Sequence, residues 1–388
     1  MLKSSAGIRF TGIMYSGVRM LIGAYSVIYM LQNGISVSQV GLLKTFQGIV
    51  IVFLDIPLSY FSDRYSRKFS IGVSILFSCA WLLTMSVADN FRDFMLAELF
   101  NALSLGMMSG TFDSYLYDHS KNENNNITSQ KVFSLYYKYQ FMFMGLTSLI
   151  GAIFFFYAGR MAIYSSSLLM FLVFIMSSFL PTDRQFKSDD KLNLFSITML
   201  GKSVRQVFAG RIGWLTLLTV ITSSFFLQSL IQYWQVIAGK DLPEEGQAII
   251  LGIVFFLIML AQSATGFVTE ALPSSLNART HYIFFIMVIT SSASCFYFPN
   301  IYMSVFFLCV IFFYINFVQI ISYAQMVSHT EKSLRSVTLS TIATVNKIVM
   351  FVMIAPFGFL LQTYDWLFII PAFLLITPLF FLYFKRNK

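Results

Sequence analysis

The 388-residue chain is 57% apolar and 18% aromatic, with only 11% charged residues and a mean hydropathy of +0.73. That balance excludes a soluble globular domain, because too few polar residues are present to cover a water-facing surface. The formal net charge of +9 is concentrated in alternate connections, which points to membrane sidedness and away from a nucleic-acid partner.

Apolar runs long enough to cross a bilayer fall near 10–31, 40–61, 70–88, 94–117, 132–156, 161–180, 212–237, 248–272, 281–298, 301–327, 337–361 and 366–384. No cleavable signal is expected, because Lys3 and Arg9 lead straight into the first run without an early small-residue cleavage site. Two connections are long: Asp118 to Lys131, rich in Asn, and the polar, charged stretch from Pro181 to Arg211. The expected fold is therefore an all-α membrane protein with twelve transmembrane helices. It divides into an N-terminal six-helix bundle (1–180), a central linker (181–211) and a C-terminal six-helix bundle (212–388).

The basic residues fix an orientation. The N-terminus, the even-numbered connections and the tail carry 19 Lys and Arg, against 3 (Arg92, Arg160 and Lys240) in the odd-numbered connections. By the positive-inside rule both termini, and the central linker, are expected in the cytoplasm. Cys79, Cys295 and Cys309 all fall inside apolar runs, where they read as packing residues with neither a disulfide framework nor a metal pattern.

Between the second and third runs lies a charged turn, Asp55-Ile-Pro-Leu-Ser-Tyr-Phe-Ser-Asp-Arg-Tyr-Ser-Arg-Lys68, in which Ser59, Ser62 and Ser66 allow close helix approach. As a plain feature of topology it is a basic loop that stays inside. It also resembles the Gly-x-Leu-Ala-Asp-Arg-x-Gly-Arg-Lys signature of the major facilitator superfamily. Asp63, Arg64, Arg67 and Lys68 match, and Ser59 and Ser66 replace the two glycines. A second stretch, Ser109-Gly110-Thr-Phe-Asp113-Ser-Tyr-Leu-Tyr117-Asp118, resembles the helix 4 end of a bacterial branch of that superfamily. The Asp55-Ile-Pro57-Leu-Ser59 run mirrors that branch's Glu-x-Pro-x-Gly. Duplicated halves joined by a central linker fit the same build. The arginine expected before a glycine in helix 4 is missing, since Ala102 and Leu103 stand near Gly106. The glycine–proline signature of antiporter helix 5 is missing too, with only Gly145 and Gly151 present.

No catalytic or metal-ligating constellation is legible. His119, His281 and His329 lie at helix ends, and Gly201-Lys202-Ser203 lacks the upstream glycine of a phosphate-binding loop. Charges within spans are costly and are functional candidates: Arg19 in helix 1, Asp113 in helix 4 and Lys138 in helix 5. Asp113 is expected within reach of Lys138 or Arg19, either as a fixed ion pair locking helices or as a coupling group. Glu98 is expected near the outer end of helix 4, solvated or facing lipid headgroups. Neutral polar stripes accompany these charges: Gln228, Gln232 and Gln235 in helix 7, and Asn316, Gln319 and Tyr323 in helix 10. Each stripe reads either as inter-helix hydrogen bonding or as a polar wall for an amphipathic solute.

The resemblance implies a secondary transporter, not an enzyme, without cofactor or metal. Its six-helix halves would rock around a central site lined by helices 1, 4, 7 and 10. Asp55, Asp63, Arg64, Arg67, Lys68 and Asp118 would form a conformational latch. Arg19, Asp113, Lys138 and the two stripes would serve substrate or coupling. The implied partners are a small organic solute, protons and membrane lipid, with no nucleic acid and a monomeric chain. The implied location is the cytoplasmic (inner) membrane of a bacterium. Efflux driven by the proton gradient is the first expectation of direction. Uptake by a symporter or facilitator of the same fold is the second, and a multi-span enzyme or receptor is the remote alternative.

Overall fold

In the computed structural model, helices form where the apolar runs lie, and side-chain caps set several of their ends. The structure describes residues 5–108, 111–123, 126, 129–182, 227–239, 242, 246–271, 286–288, 290, 300–329, 348, 352 and 354–363. Every regular element among the described residues is helical. Two compact units are present: Met1–Asp189 with Pro243–Ser263, and Asp190–Leu242 with Ala264–Lys388.

The first unit opens with α1 (Ser5–Met20), a non-helical step over residues 21–25, and α2 (Ser26–Gln32). The first run is thus two helices where one was expected. Gly23 N–H donates to the Met20 carbonyl, and Tyr25 N–H to the Ile22 carbonyl, so the step satisfies part of its own backbone. Room for it comes from α7 (Ser129–Ala158), where Gly151 lies against the Leu21 carbonyl. A Cβ at Gly151 would fall 1.9 Å from that oxygen.

α3 (Val37–Tyr65) begins at a capping box: Ser36 Oγ accepts from Gln39 N–H, and Gln39 Oε1 accepts from Ser36 N–H. It then runs on through the charged turn. Residues 55–65 are helical, and Ser66 alone separates α3 from α4 (Arg67–Val87). Ser66 is extended, with φ −177°, and its hydroxyl caps α4 by accepting from Phe69 N–H. The expected loop is therefore a single hinge residue. Hydropathy ends a span where charge begins, but Asp, Arg and Tyr do not end a helix.

In the fourth run, α5 (Phe91–Met108) and α6 (Thr111–Glu123) are helical on either side of Ser109-Gly110, which lie outside the described residues. α7 and α8 (Arg160–Ser177) complete this part of the unit. α4 packs on α5 and α8, α3 on α5, and α1 on α7. On α4, Ser70, Ser74 and Ser78 are fully buried at four-residue spacing. Small side chains on one stripe bring helices close where lipid gives no hydrophobic drive. The opposite surfaces are apolar and exposed, including Leu76, Leu83, Ile150, Tyr157, Leu168 and Leu172. Such a surface is unfavourable in water and suited to acyl chains.

Contacts between helix ends sort the unit into two faces. At one, Arg160 pairs with Asp89 at 2.5 Å and donates to Asn33, tying three connections together. At the other, Ser5 binds Glu123, Arg67 pairs with Asp118 at 2.5 Å, and Tyr115 Oη donates to the Pro181 carbonyl. These are called the Arg160 face and the Arg67 face below. Helix direction alternates between them as the run order predicts.

A helix over 227–239 (α9), α10 (Gln247–Ala271) and α11 (Ile301–His329) follow. Residues of α10 up to Ser263 belong to the first unit, where Gly252 meets Ala152 and Leu149 of α7. In the second unit, Tyr233 of α9 donates to the Ile354 carbonyl at 3.1 Å. The twelfth run and most of the central linker lie outside the described residues.

Candidate functional site

Inside the first unit, polar side chains from α1, α3, α4 and α5 form one continuous run. Lys44 Nζ of α3 donates to Glu98 Oε1 of α5 at 2.7 Å. Glu98 Oε2 accepts from Asn101 Nδ2, one turn along α5, at 3.0 Å. Asn101 Oδ1 accepts from Arg19 Nη2. Arg19 Nη1 donates to Ser78 of α4. Ser78 Oγ then lies 2.8 Å from Ser104 Oγ, which is also 2.8 Å from the Tyr15 hydroxyl. Ser74 Oγ donates to the Ser104 carbonyl at 2.8 Å.

The run is buried throughout: Arg19 is 6% exposed, Lys44 8% and Glu98 0%. Its position follows from its helices. Arg19 occupies the last turn of α1, where a cation faces unpaired carbonyls. Its guanidinium also stacks on aromatic faces, 4.5 Å from the Trp81 ring centre and 5.4 Å from that of Tyr15. Among the described residues only Glu98 offsets Lys44 and Arg19 here, so one positive charge is left over.

Two sequence expectations are corrected. Glu98 is neither solvated nor at the headgroups. It is buried against Lys44, because an ion pair makes burial of a carboxylate tolerable while lipid does not. Arg19 does not pair with Asp113. α1 starts five residues before Phe10, so Arg19 stands about 21 Å along it at 1.5 Å per residue, among Ser78, Asn101, Trp81 and Tyr15. Lys44 and Glu98 were missed as a pair, although a signal existed. Each lies seven residues from the start of its helix at the Arg160 face, with opposite charge.

The remaining expected residues fall as follows. Asp113 is half-buried on α6. Lys138 is exposed on α7. Arg67 and Asp118 are brought together as the ion pair given above, and Lys68 sits half-buried beside Arg67. Asp55, Asp63 and Arg64 lie within α3, with side chains outside the described set. On α9, Gln228 and Gln232 are half-buried and Gln235 is buried. Asn316 is half-buried on α11, which also carries Gln319 and Tyr323, whose side chains lie outside the described set. Among the described residues no group of His, Cys, Asp and Glu could hold a metal.

Comparison with known proteins agrees with this architecture. A Bacillus subtilis (strain 168) protein described as the uncharacterized MFS-type transporter YxaM is 23% identical over 220 residues. The match takes in 54% of this chain and 52% of that relative, so the chain spans about half the length of the curated relative it matches. Among solved structures, the nucleoside transporter NupG superposes with a TM-score of 0.75 at 14% identity, covering 97% of this chain and 99% of NupG. A bacterial homologue of the human lysosomal transporter Spinster, inward-facing and occupied, gives a TM-score of 0.69 at 13% identity, over 93% and 82% of the two chains. The family model described as Major Facilitator Superfamily matches residues 10–354. With that match across most of its length, the chain belongs to the Major Facilitator Superfamily, a family of multi-pass membrane transporters.

Proposed function

We propose that this transporter is a proton-coupled exporter of a small organic solute, working by alternating access in the cytoplasmic membrane as a monomer with both termini inside. The observation that carries the coupled reading is the buried run Lys44–Glu98–Asn101–Arg19. Three ionisable groups at membrane depth are costly to keep, and the cost is understandable where charge must respond to proton or solute. Asp113 on α6, together with Lys138 on α7, is the second candidate for coupling. The stripes Gln228–Gln232–Gln235 and Asn316–Gln319–Tyr323 supply neutral hydrogen bonds suited to an uncharged part of the solute. Asp55, Asp63, Arg64, Arg67, Lys68 and Asp118 form the latch that favours one state of the cycle.

Export is favoured by the Ser-Gly-x-x-Asp run ending at Asp113 and by Asp55-Ile-Pro57, features of a bacterial branch that includes exporters. Uptake is the second reading, favoured by the missing glycine–proline signature of antiporter helix 5. Purified protein in liposomes, screened for solute flux under imposed pH and sodium gradients, tests both. Accumulation opposite in direction to the proton flow supports export. Accumulation along with the proton flow supports uptake. Flux indifferent to either gradient overturns coupling.

A further inference from the structure

We propose that Arg19 recognises an organic anion, so that the carried solute bears a carboxylate or an equivalent acidic group; this rests on the reading of the chain as a small-solute carrier. The first observation is a charge that no described residue balances. Glu98 is committed to Lys44 at 2.7 Å, and Arg19 reaches it only through Asn101. Arg19 itself, 6% exposed, donates to two neutral oxygens and, among the described residues, pairs with no carboxylate. A guanidinium is always protonated, so the buried run holds one positive charge more than negative.

The second observation is independent of charge. Trp81 lies against that guanidinium and is 6% exposed, yet its indole N–H has no acceptor. Buried donors are ordinarily satisfied, so this N–H is one for which the described residues supply no acceptor. A cargo carboxylate supplies both missing quantities: a negative charge and acceptor oxygens, which a guanidinium fork binds in a two-pronged manner. Arg19 precedes the non-helical step over residues 21–25, where a backbone change can move the side chain between states. An inside-negative potential drives a monoanion outward, in agreement with export. A cationic solute meets the same surplus charge as repulsion.

A pure scaffold makes a different demand. If Arg19 only ties α1 to α4 and α5, ligand charge is irrelevant. The test uses the full-length protein in detergent and in liposomes, with acetate, lactate, benzoate and salicylate against their amides. The carboxylates are expected to raise the unfolding temperature and to compete for flux, while the amides do neither. Trp81→Phe, which keeps a ring but loses the N–H, is expected to weaken carboxylate binding about tenfold, as one charge-assisted hydrogen bond would. Arg19→Gln is expected to abolish the preference. Should Arg19→Gln fail to fold, Glu98→Gln with Lys44→Met serves instead: it keeps Arg19 as the single charge and must keep the preference. Equal response to acids and amides, or a preference unchanged in Trp81→Phe and Arg19→Gln, overturns the anion site. Gradient-driven flux of neutral or cationic solutes alone overturns it too and leaves the carrier reading intact. Absence of any flux defeats the carrier reading itself.

Discussion

Lys44 and Glu98 meet at 2.7 Å inside the first unit, 54 residues apart in sequence and at equal depth from the Arg160 face. Neither charge is tolerable alone in that place. Removing one partner leaves the other buried and unpaired, which costs about 3–5 kcal/mol. Glu98→Gln is therefore expected to lower the unfolding temperature strongly, and Glu98→Gln with Lys44→Met to recover most of the loss. Thermal unfolding of the four proteins as a double-mutant cycle reads the coupling directly. Additive losses would show that the two side chains do not depend on each other.

A second prediction concerns the step in the first span. The Leu21 carbonyl occupies the space that a side chain at 151 would need. Because the obstacle is backbone, it cannot rotate away. Gly151→Ala is expected to cost about 1–3 kcal/mol, the usual range for overpacking, and to lower transport by displacing the end of α1 that carries Arg19. Gly34→Ala meets no neighbour but stands at φ +82°, so it is expected to cost only about 1 kcal/mol and to leave transport intact. Equal effects of the two substitutions would separate the step from the role given to α7.

These elements show what the sequence carries and what it does not. The family and the helical fold are legible from composition, from run length and from Asp63-Arg64-x-x-Arg67-Lys68. The start of α4 is legible as well, since Ser66 before a continuous apolar run is a plain cap signal. The break at residues 21–25 is not. Leu21-Ile22-Gly23-Ala24-Tyr25 is as apolar as its neighbours, and hydropathy records transfer from water while being blind to which carbonyl accepts which N–H. The Arg19 site is legible only in part. A charge in a span announces itself, but its partners Ser78, Asn101 and Trp81 are ordinary helix residues that helix adjacency alone selects. Glu98 misled because distance from a helix end was read as exposure, whereas a partner at the same depth decides burial.

Sidedness gives a third prediction. Asp89 and Lys121 are both exposed and lie at opposite faces of the first unit. By the 19-to-3 distribution of basic residues, Lys121 is expected inside. In a background with Cys79, Cys295 and Cys309 replaced, a membrane-impermeant thiol reagent added to intact cells is expected to label Asp89→Cys and spare Lys121→Cys. The reverse pattern would invert the topology.

The latch gives a fourth. The Arg67–Asp118 pair is partly exposed, 24% and 39% at the side chains, and such pairs add only about 0–1 kcal/mol to stability. The role proposed for it in transport is conformational: a contact present in one state and absent in the other shifts their ratio by its full worth. Arg67→Gln and Asp63→Asn are expected to express and fold normally while transport falls strongly. Unchanged transport rates in both would remove the latch from the mechanism.

The last prediction separates coupling from scaffolding at Asp113. This carboxylate is half-buried on α6. A half-buried side chain keeps part of its solvation, so neutralising it is not expected to unfold the protein. If alternating access moves α6 relative to Lys138 or changes its hydration, the proton affinity of Asp113 differs between states, and proton flow becomes linked to the cycle. Asp113→Asn is then expected to keep solute exchange down a gradient and to lose accumulation driven by pH. If Asp113 instead only anchors α6, both activities fall together with thermal stability, and Asp113→Asn with Lys138→Met restores them. Full pH-driven accumulation in that double variant would pass the coupling role to Glu98, the one acidic side chain that is fully buried among the described residues. Glu98→Gln with Lys44→Met, which removes that proton-accepting group without leaving a charge unpaired, would then be the variant expected to exchange solute without responding to pH.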